Sequence, residues 1–407
     1  MTGGEPTAGE GTVYLLDGTY LVFRAFFAIR SLSAPDGTPT NGVYGFVSTV
    51  RKLLREQAPA HFAVAFATDE PTHRDEAFAA YKQNRPEPPP DLGPQFGLAW
   101  EASEALGWPV VTAPGFEADD VIATLVRQAR ERGLETVIVT ADKDLFQLVG
   151  PGVRVMNPMK DGRMLDPEGV AEVFGVPPER VRDVLALMGD ASDNIPGVPG
   201  VGEKTAKGMA ARYGALETIL DRGARFAELW EAKETLLAAV EAGEPVPDGS
   251  AEAVSRAAAQ LLELEQRVCA EALEDDLREK LESAAKVGDE VSAERWREVK
   301  RALKNLSKKT QPKVWLAVAE HADDARFAKE LVTVREDAPV ELDLQRIEPG
   351  APELERAREL FERLGFRELT EELAAAVEQA GGGTGAAAVA DELDVTVVRD
   401  LAGLAGF

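Results

Sequence analysis

The chain has 407 residues but one cysteine, Cys269, and three histidines. A single thiol excludes an internal disulfide framework and every cysteine-based zinc site, and so few imidazoles leave little for zinc or histidine-driven hydrolysis. Long apolar runs are missing too. No stretch reaches the roughly 18 apolar residues a membrane span needs. The opening MTGGEPTAGEGT has neither the basic nor the apolar part of an export signal, so a cytoplasmic protein without membrane contact is expected. Basic charge is scarce: 45 Lys and Arg face 71 Asp and Glu, a net charge of −26. That balance argues against a generally basic nucleic-acid binder, and contact with a polyanion has to use local basic patches. What remains is oxygen chemistry, on a chain whose 44% hydrophobic content supports two or three folding units.

The oxygen donors are grouped. Eight carboxylates fall in four short clusters: Asp17; Glu117, Asp119 and Asp120; Asp142 and Asp144; Asp190 and Asp193. Residues 13–16 (VYLL), 61–66 (HFAVAF) and 136–140 (TVIVT) read as short buried strands. Between them GFEADDVIATLVRQARERG places Val121, Ile122, Leu125, Val126 and Ala129 on one helical face, with Gly133 closing the helix. Strand, helix, strand order predicts a parallel α/β sheet. Acids at the ends of parallel strands converge on one edge, where they repel unless divalent cations neutralise them. Any one of these acids alone reads as a turn or cap residue, and the helix dipole explains one or two of those in EADD. The repetition is what points to a metal site for phosphate chemistry.

From about residue 168 the pattern turns helical. GVPGVGEKTA at 197–206 is not a nucleotide-binding P-loop, because Glu203 separates Gly202 from Lys204 and no strand precedes it. It fits a helix-hairpin-helix in which Gly197, Gly200 and Gly202 aim amides at a phosphate, with Lys204, Thr205 and Lys207 following. Residues 71–95 set Arg74, Lys82 and Arg85 among Phe78 and Tyr81, basic groups beside stacking rings that suit single-stranded nucleic acid, although alone such a run reads first as a solvated helix followed by a proline loop. Residues 225–312, rich in Ala, Glu and Leu, read as an inserted helical hairpin in which Trp230 and Trp296 pack. It is either a surface element or a docking arm using Arg301, Lys304, Lys308, Lys309 and Lys313. GGGTGAAA at 381–388 reads as a linker.

Taken together, LLDGTYLVFRAFFA, NGVYGF, AAYKQNRP, GFEADDVIATL, TADKDLFQLV and LMGDASDNIPGVPGVGEKTA resemble, in order, the 5'-3' exonuclease domain of bacterial DNA polymerase I and the flap endonucleases. The resemblance implies a PIN-like parallel core at 12–174 with a helical arch, and a helix-three-turn-helix module at 175–224. An acidic helical insertion at 225–312, the C-terminal part of the nuclease domain at 313–375 and a linker and short tail at 376–407 complete the expected domains. It implies two divalent ions about 4 Å apart, Mg²⁺ with Mn²⁺ as a substitute. Glu117 and Asp119 go to the first ion, Asp190 and Asp193 to the second, Asp142 and Asp144 between them, with Asp17 and Asp120 positioning water. Lys82 and Arg85 are implied to draw on the scissile phosphate, and Arg24, Arg74 and Tyr81 to contact DNA. The glycine hairpin is implied to hold duplex, with a K⁺ ion on its carbonyls. The expected substrate is DNA with a 5' flap, nick or 5' end, the expected state a monomer, and a protein partner at the insertion stays open.

One departure stands out: the chain reads FATDEPTHR, with Ala67 where the family carries a metal-binding aspartate and His73 where it carries an aromatic. Asp69 is two residues on. Two rivals therefore stay open, a junction-binding protein with weakened catalysis and a PIN-type ribonuclease.

Overall fold

The computed structural model of the protein describes residues 11–158, 162–242 and 312–381. They divide into two compact units, one running to Phe174 and resuming at Val334, the other comprising Gly175–Thr333.

The first unit is built on a six-stranded sheet of β1 (Thr12–Asp17), β2 (His61–Ala65), β3 (Val110–Val111), β4 (Glu135–Val139), β5 (Val153–Met156) and β6 (Met164–Leu165), in the order β3-β2-β1-β4-β5-β6. All neighbours are parallel except β5 and β6. The central strands are apolar on both faces because helices cover both, so Val13, Leu15, Leu16, Phe62, Val64, Ile138 and Val139 are all buried. The helices are α1 (Gly18–Ala28), α2 (Asn41–Gln57), α3 (His73–Ala77), α4 (Gly93–Ala105), α5 (Ala118–Glu131) and α6 (Pro167–Phe174). The apolar face anticipated for α5 is buried throughout, and Gly133 takes φ +71° just after it, a conformation glycine adopts without penalty. The segment matched to a helical arch contains only the five helical residues of α3, followed by turns through the proline-rich stretch.

The second unit holds α7 (Val181–Met188), α8 (Glu203–Tyr213), α9 (Leu216–Ala242), α10 (Pro312–Glu320) and α11 (Ala322–Val332). Residues 313–333, the opening of the segment expected as the C-terminal part of the nuclease domain, belong to this unit. The reason is packing. Trp315 is buried edge-on against Tyr213 with ring centroids 5.4 Å apart, and Gly223 of α9 lets Val318 approach to where a Cβ would lie 2.7 Å away. Lys329 of α11 reaches the buried Asp183 of α7 at 2.7 Å. Trp230 stacks on Phe226 at 5.7 Å. Residues 243–311, with Trp296, Arg301, Lys304, Lys308 and Lys309, lie outside the described residues, and Lys313 is exposed at the start of α10.

The chain re-enters the first unit as an extended strap followed by α12 (Leu354–Leu364) and α13 (Arg367–Gly381). The strap lies along a polar stripe of α5 spaced four residues apart, as one helix face requires. Asp120 accepts the Arg335 amide at 2.8 Å, Thr124 the Ala338 amide at 3.0 Å and Gln128 the Leu342 amide at 2.7 Å. It ends against Gly107, whose carbonyl accepts the Gly350 amide at 2.8 Å. Helix α13 continues to Gly381, so the linker expected from 376 begins as helix; its later residues lie outside the described ones. Among the described residues no helix is long and apolar enough to cross a membrane.

Candidate active site at the carboxyl edge of the sheet

From β1 the chain builds the sheet outward first through β2 and β3 and then through β4 and β5, so the carboxyl ends of β1 and β4 flank the switch point where a parallel sheet opens a crevice. Asp17 is the last residue of β1, Asp142 and Asp144 occupy the turn after β4, and Glu117 and Asp119 sit at the start of α5. Asp17 is 4% exposed; it caps α1 by accepting the Tyr20 amide at 2.9 Å and accepts the Thr140 hydroxyl at 3.2 Å. The same Thr140 oxygen accepts the Asp142 amide at 3.0 Å, and Asp142 accepts the Asp144 amide at 2.9 Å. A buried hydroxyl at the end of β4 thus ties two acid clusters together. Thr140 was missed in the sequence, although its place between an apolar strand and an acid-bearing turn is the signal that marks it.

These acids repel one another. Burial pushes Asp17 up to about 7, and Asp142 and Glu117 add repulsion against the lowering by the Tyr20 amide and the Thr140 hydroxyl. Asp119 is raised well above the usual carboxylate range by burial and then by Asp17, Asp142, Glu117 and Asp144. Glu117 is held by cations and a phenol: Lys82 Nζ at 2.5 Å, the Tyr81 hydroxyl at 3.2 Å and Arg74 at 3.8 Å. Among the described residues, no three His, Cys, Asp or Glu side chains are arranged to hold an ion as they stand. The donor set nonetheless suits one: carboxylate oxygens only, crowded until ionisation is resisted, as a hard divalent cation would relieve.

Three expected site residues have other duties. Asp120 does not join the acids. One residue along α5 turns it about 100° from Asp119, into complete burial, where it takes a bidentate pair of bonds from Arg74 at 2.8 and 2.9 Å. Against the penalty of burial, Arg74 and the Arg335 and Glu117 amides hold its carboxyl below its ordinary value. Arg74, expected on DNA, is 3% exposed and locked in this pair. Tyr81, expected to stack on a base, is 4% exposed with its hydroxyl on Glu117. Arg24 and Arg85 are exposed. Two residues past β2, Ala67 is exposed and its amide donates to the Thr19 hydroxyl at 2.9 Å; Asp69 is exposed beyond it.

In the second unit Asp190 is buried, its backbone pairs with Ile195, and its side chain accepts the Ser192 amide at 2.7 Å and the Asp193 amide at 3.3 Å. Asp193 is half-buried. Gly197 serves packing, since a Cβ there would stand 2.3 Å from the Met188 carbonyl carbon. Gly200 has φ +79° with open space around it, and Gly202 precedes α8 as its cap. Lys204 is exposed, Thr205 half-buried, and Lys207 pairs with Glu203 at 2.5 Å within α8.

Two family profiles match consecutive parts of the chain: "5'-3' exonuclease, N-terminal resolvase-like domain" over residues 12–175 and "5'-3' exonuclease, C-terminal SAM fold" over 176–282. A 5'-3' exonuclease of Aquifex aeolicus is 41% identical over 215 residues, 53% of this chain and 74% of that protein. DNA polymerase I of Rhizobium leguminosarum is 43% identical over 237 residues, 56% of this chain and 23% of that one. DNA polymerase I of Bacillus caldotenax is 32% identical over 88% of this chain and 32% of its own length. The chain thus spans a quarter to a third of these polymerases.

Proposed function

The chain belongs to the 5'-3' exonuclease family, and from that premise we propose that it is a divalent-cation-dependent nuclease hydrolysing DNA phosphodiester bonds at 5' ends, nicks and flaps. One observation carries the reading: Asp17, Glu117, Asp119, Asp142 and Asp144 meet at the carboxyl edge of the sheet, and burial and mutual repulsion raise Asp17 and Asp119. Glu117, Asp119, Asp142 and Asp144 would hold Mg²⁺ or Mn²⁺, and by resemblance Asp190 and Asp193 serve a second ion. When bound, such ions supply Lewis-acid charge for the phosphate and an activated water. The protein's own residues do the rest. Thr140 fixes Asp17 relative to the 142–144 turn, and Tyr81 fixes Glu117. Lys82 and Arg85 supply positive charge to the scissile phosphate, and Arg24 steadies the strand. The amides of Gly200 and Gly202, with Lys204, Thr205 and Lys207, hold duplex phosphates, with K⁺ as the hairpin's ion. Action as a cytoplasmic monomer belongs to the same proposal.

Ala67 supports a second reading, a junction binder with weakened turnover, because a methyl group stands two residues past β2, where the resemblance places a metal-binding aspartate. Cleavage of a 5'-labelled flap duplex with Mg²⁺ or Mn²⁺ separates the two. Turnover by the parent chain that Asp142→Ala abolishes supports the nuclease. Tight, salt-sensitive binding without turnover, restored by Ala67→Asp, supports the junction binder, and preference for RNA would overturn both.

A further inference from the structure

The proposed function gives Glu117 and Lys82 separate partners, a divalent cation for the carboxylate and a substrate phosphate for the ammonium. In the structure they hold each other. Lys82 Nζ lies 2.5 Å from Glu117 Oε1, and neither group can serve its assigned partner fully while that pair persists. Of the three groups on Glu117, only Lys82 is built to leave. Arg74 is 3% exposed and committed to Asp120 by two bonds, and Tyr81 is 4% exposed and neutral. The Lys82 side chain is 27% exposed, on a turn rather than a helix or strand. Its backbone sits at φ +55°, the left-handed region, which costs an L residue about 1–2 kcal/mol and needs an interaction to hold it.

We propose that Lys82 is the resident counter-ion of Glu117, and that a divalent cation binding through Glu117 evicts Lys82, making it available to the substrate phosphate. Cation loading and presentation of the basic side chain are then one exchange. Tyr81 keeps the carboxylate in place during it, since a neutral phenol hydrogen-bonds to a carboxylate whether or not the cation is there. The order of events follows: a protein without divalent cation offers DNA a Lys82 held on Glu117, and a loaded one offers a Lys82 released from that carboxylate, with the exposed Asp75 another acid that feels its charge.

This inference rests on the reading of Glu117 as a cation ligand, and amine labelling of the full chain tests it without DNA or turnover. Reductive methylation followed by peptide mass spectrometry reads Lys82 against the exposed Lys52, with Mn²⁺ binding measured by calorimetry on the same samples. Saturating Mn²⁺ should speed Lys82 labelling about tenfold relative to Lys52, and Glu117→Gln should give the fast rate with no cation present. Lys82→Met should tighten Mn²⁺ binding. Unchanged Lys82 labelling in a sample shown to have bound Mn²⁺ overturns the exchange and leaves the nuclease reading standing. Slow labelling in a folded Glu117→Gln overturns the pair itself. Failure to bind Mn²⁺ at all overturns the cation site, and the exchange with it.

Discussion

Asp119 and Asp120 are consecutive residues on α5, and their surroundings are opposites. Asp119 faces four other carboxylates, and its proton is held well above the usual range by burial and their repulsion. Asp120, completely buried, faces a guanidinium and two backbone amides that hold its carboxyl below its ordinary value. The acidic edge therefore carries mutual repulsion that the proposed cation would relieve, whereas the clamp behind it is neutralised by the chain itself. One region concentrates like charge, and the other anchors α3 and the returning strap to the helix that carries both.

The largest expected effects come from breaking each side of that contrast. Asp120→Ala strands the buried Arg74 guanidinium and should destabilise the protein by about 3–5 kcal/mol in denaturant titration. Asp119→Asn should leave the fold intact, stabilise the cation-free protein, and lower cleavage by roughly a hundredfold or more. A smaller effect is expected where the strap ends. Gly107 has φ +69°, and an added Cβ would lie 2.6 Å from the Gly350 carbonyl oxygen, so Gly107→Ala should lower stability by about 2 kcal/mol. Denaturant midpoints check it.

The pH dependence sharpens the comparison. Burial raises Asp17 from 3.8 to about 7, so the native state binds this proton more tightly than the unfolded chain. Its contribution to cation-free stability is fully present below about pH 4 and lost as pH rises through about 7. Asp17→Asn should therefore melt higher than the parent at pH 8, with the difference closing by pH 4 or when Mg²⁺ is added; thermal melts across that range read it. The smallest effect belongs to Gln128→Ala, which removes one partner from the strap and should lower stability by about 1 kcal/mol.

Much of this was legible in the sequence because it depends on local pattern. Continuous apolar runs followed by an acid fixed the strands and placed Asp17, Asp142 and Asp144 at their ends, and the apolar stripe of α5 set Glu117 and Asp119 at its start. What escaped depends on partners far along the chain. Nothing near Asp120 reveals that residue 335 returns to it, and nothing near Arg74 shows it to be buried, since an arginine among aromatics reads equally well as a strand-binding patch. Tyr81 misled for the same reason. The two-residue β3 and the antiparallel β6 are too short to carry a period, and the helical spacing of residues 313–333 does not say which helix they meet.

The most direct test of the central claim is Mn²⁺ binding by calorimetry to the parent chain and to Asp119→Asn, both shown to be folded. Binding in the parent that is lost or greatly weakened in Asp119→Asn is the predicted result. Equal affinity in both would contradict the assignment of the acidic edge as the cation site.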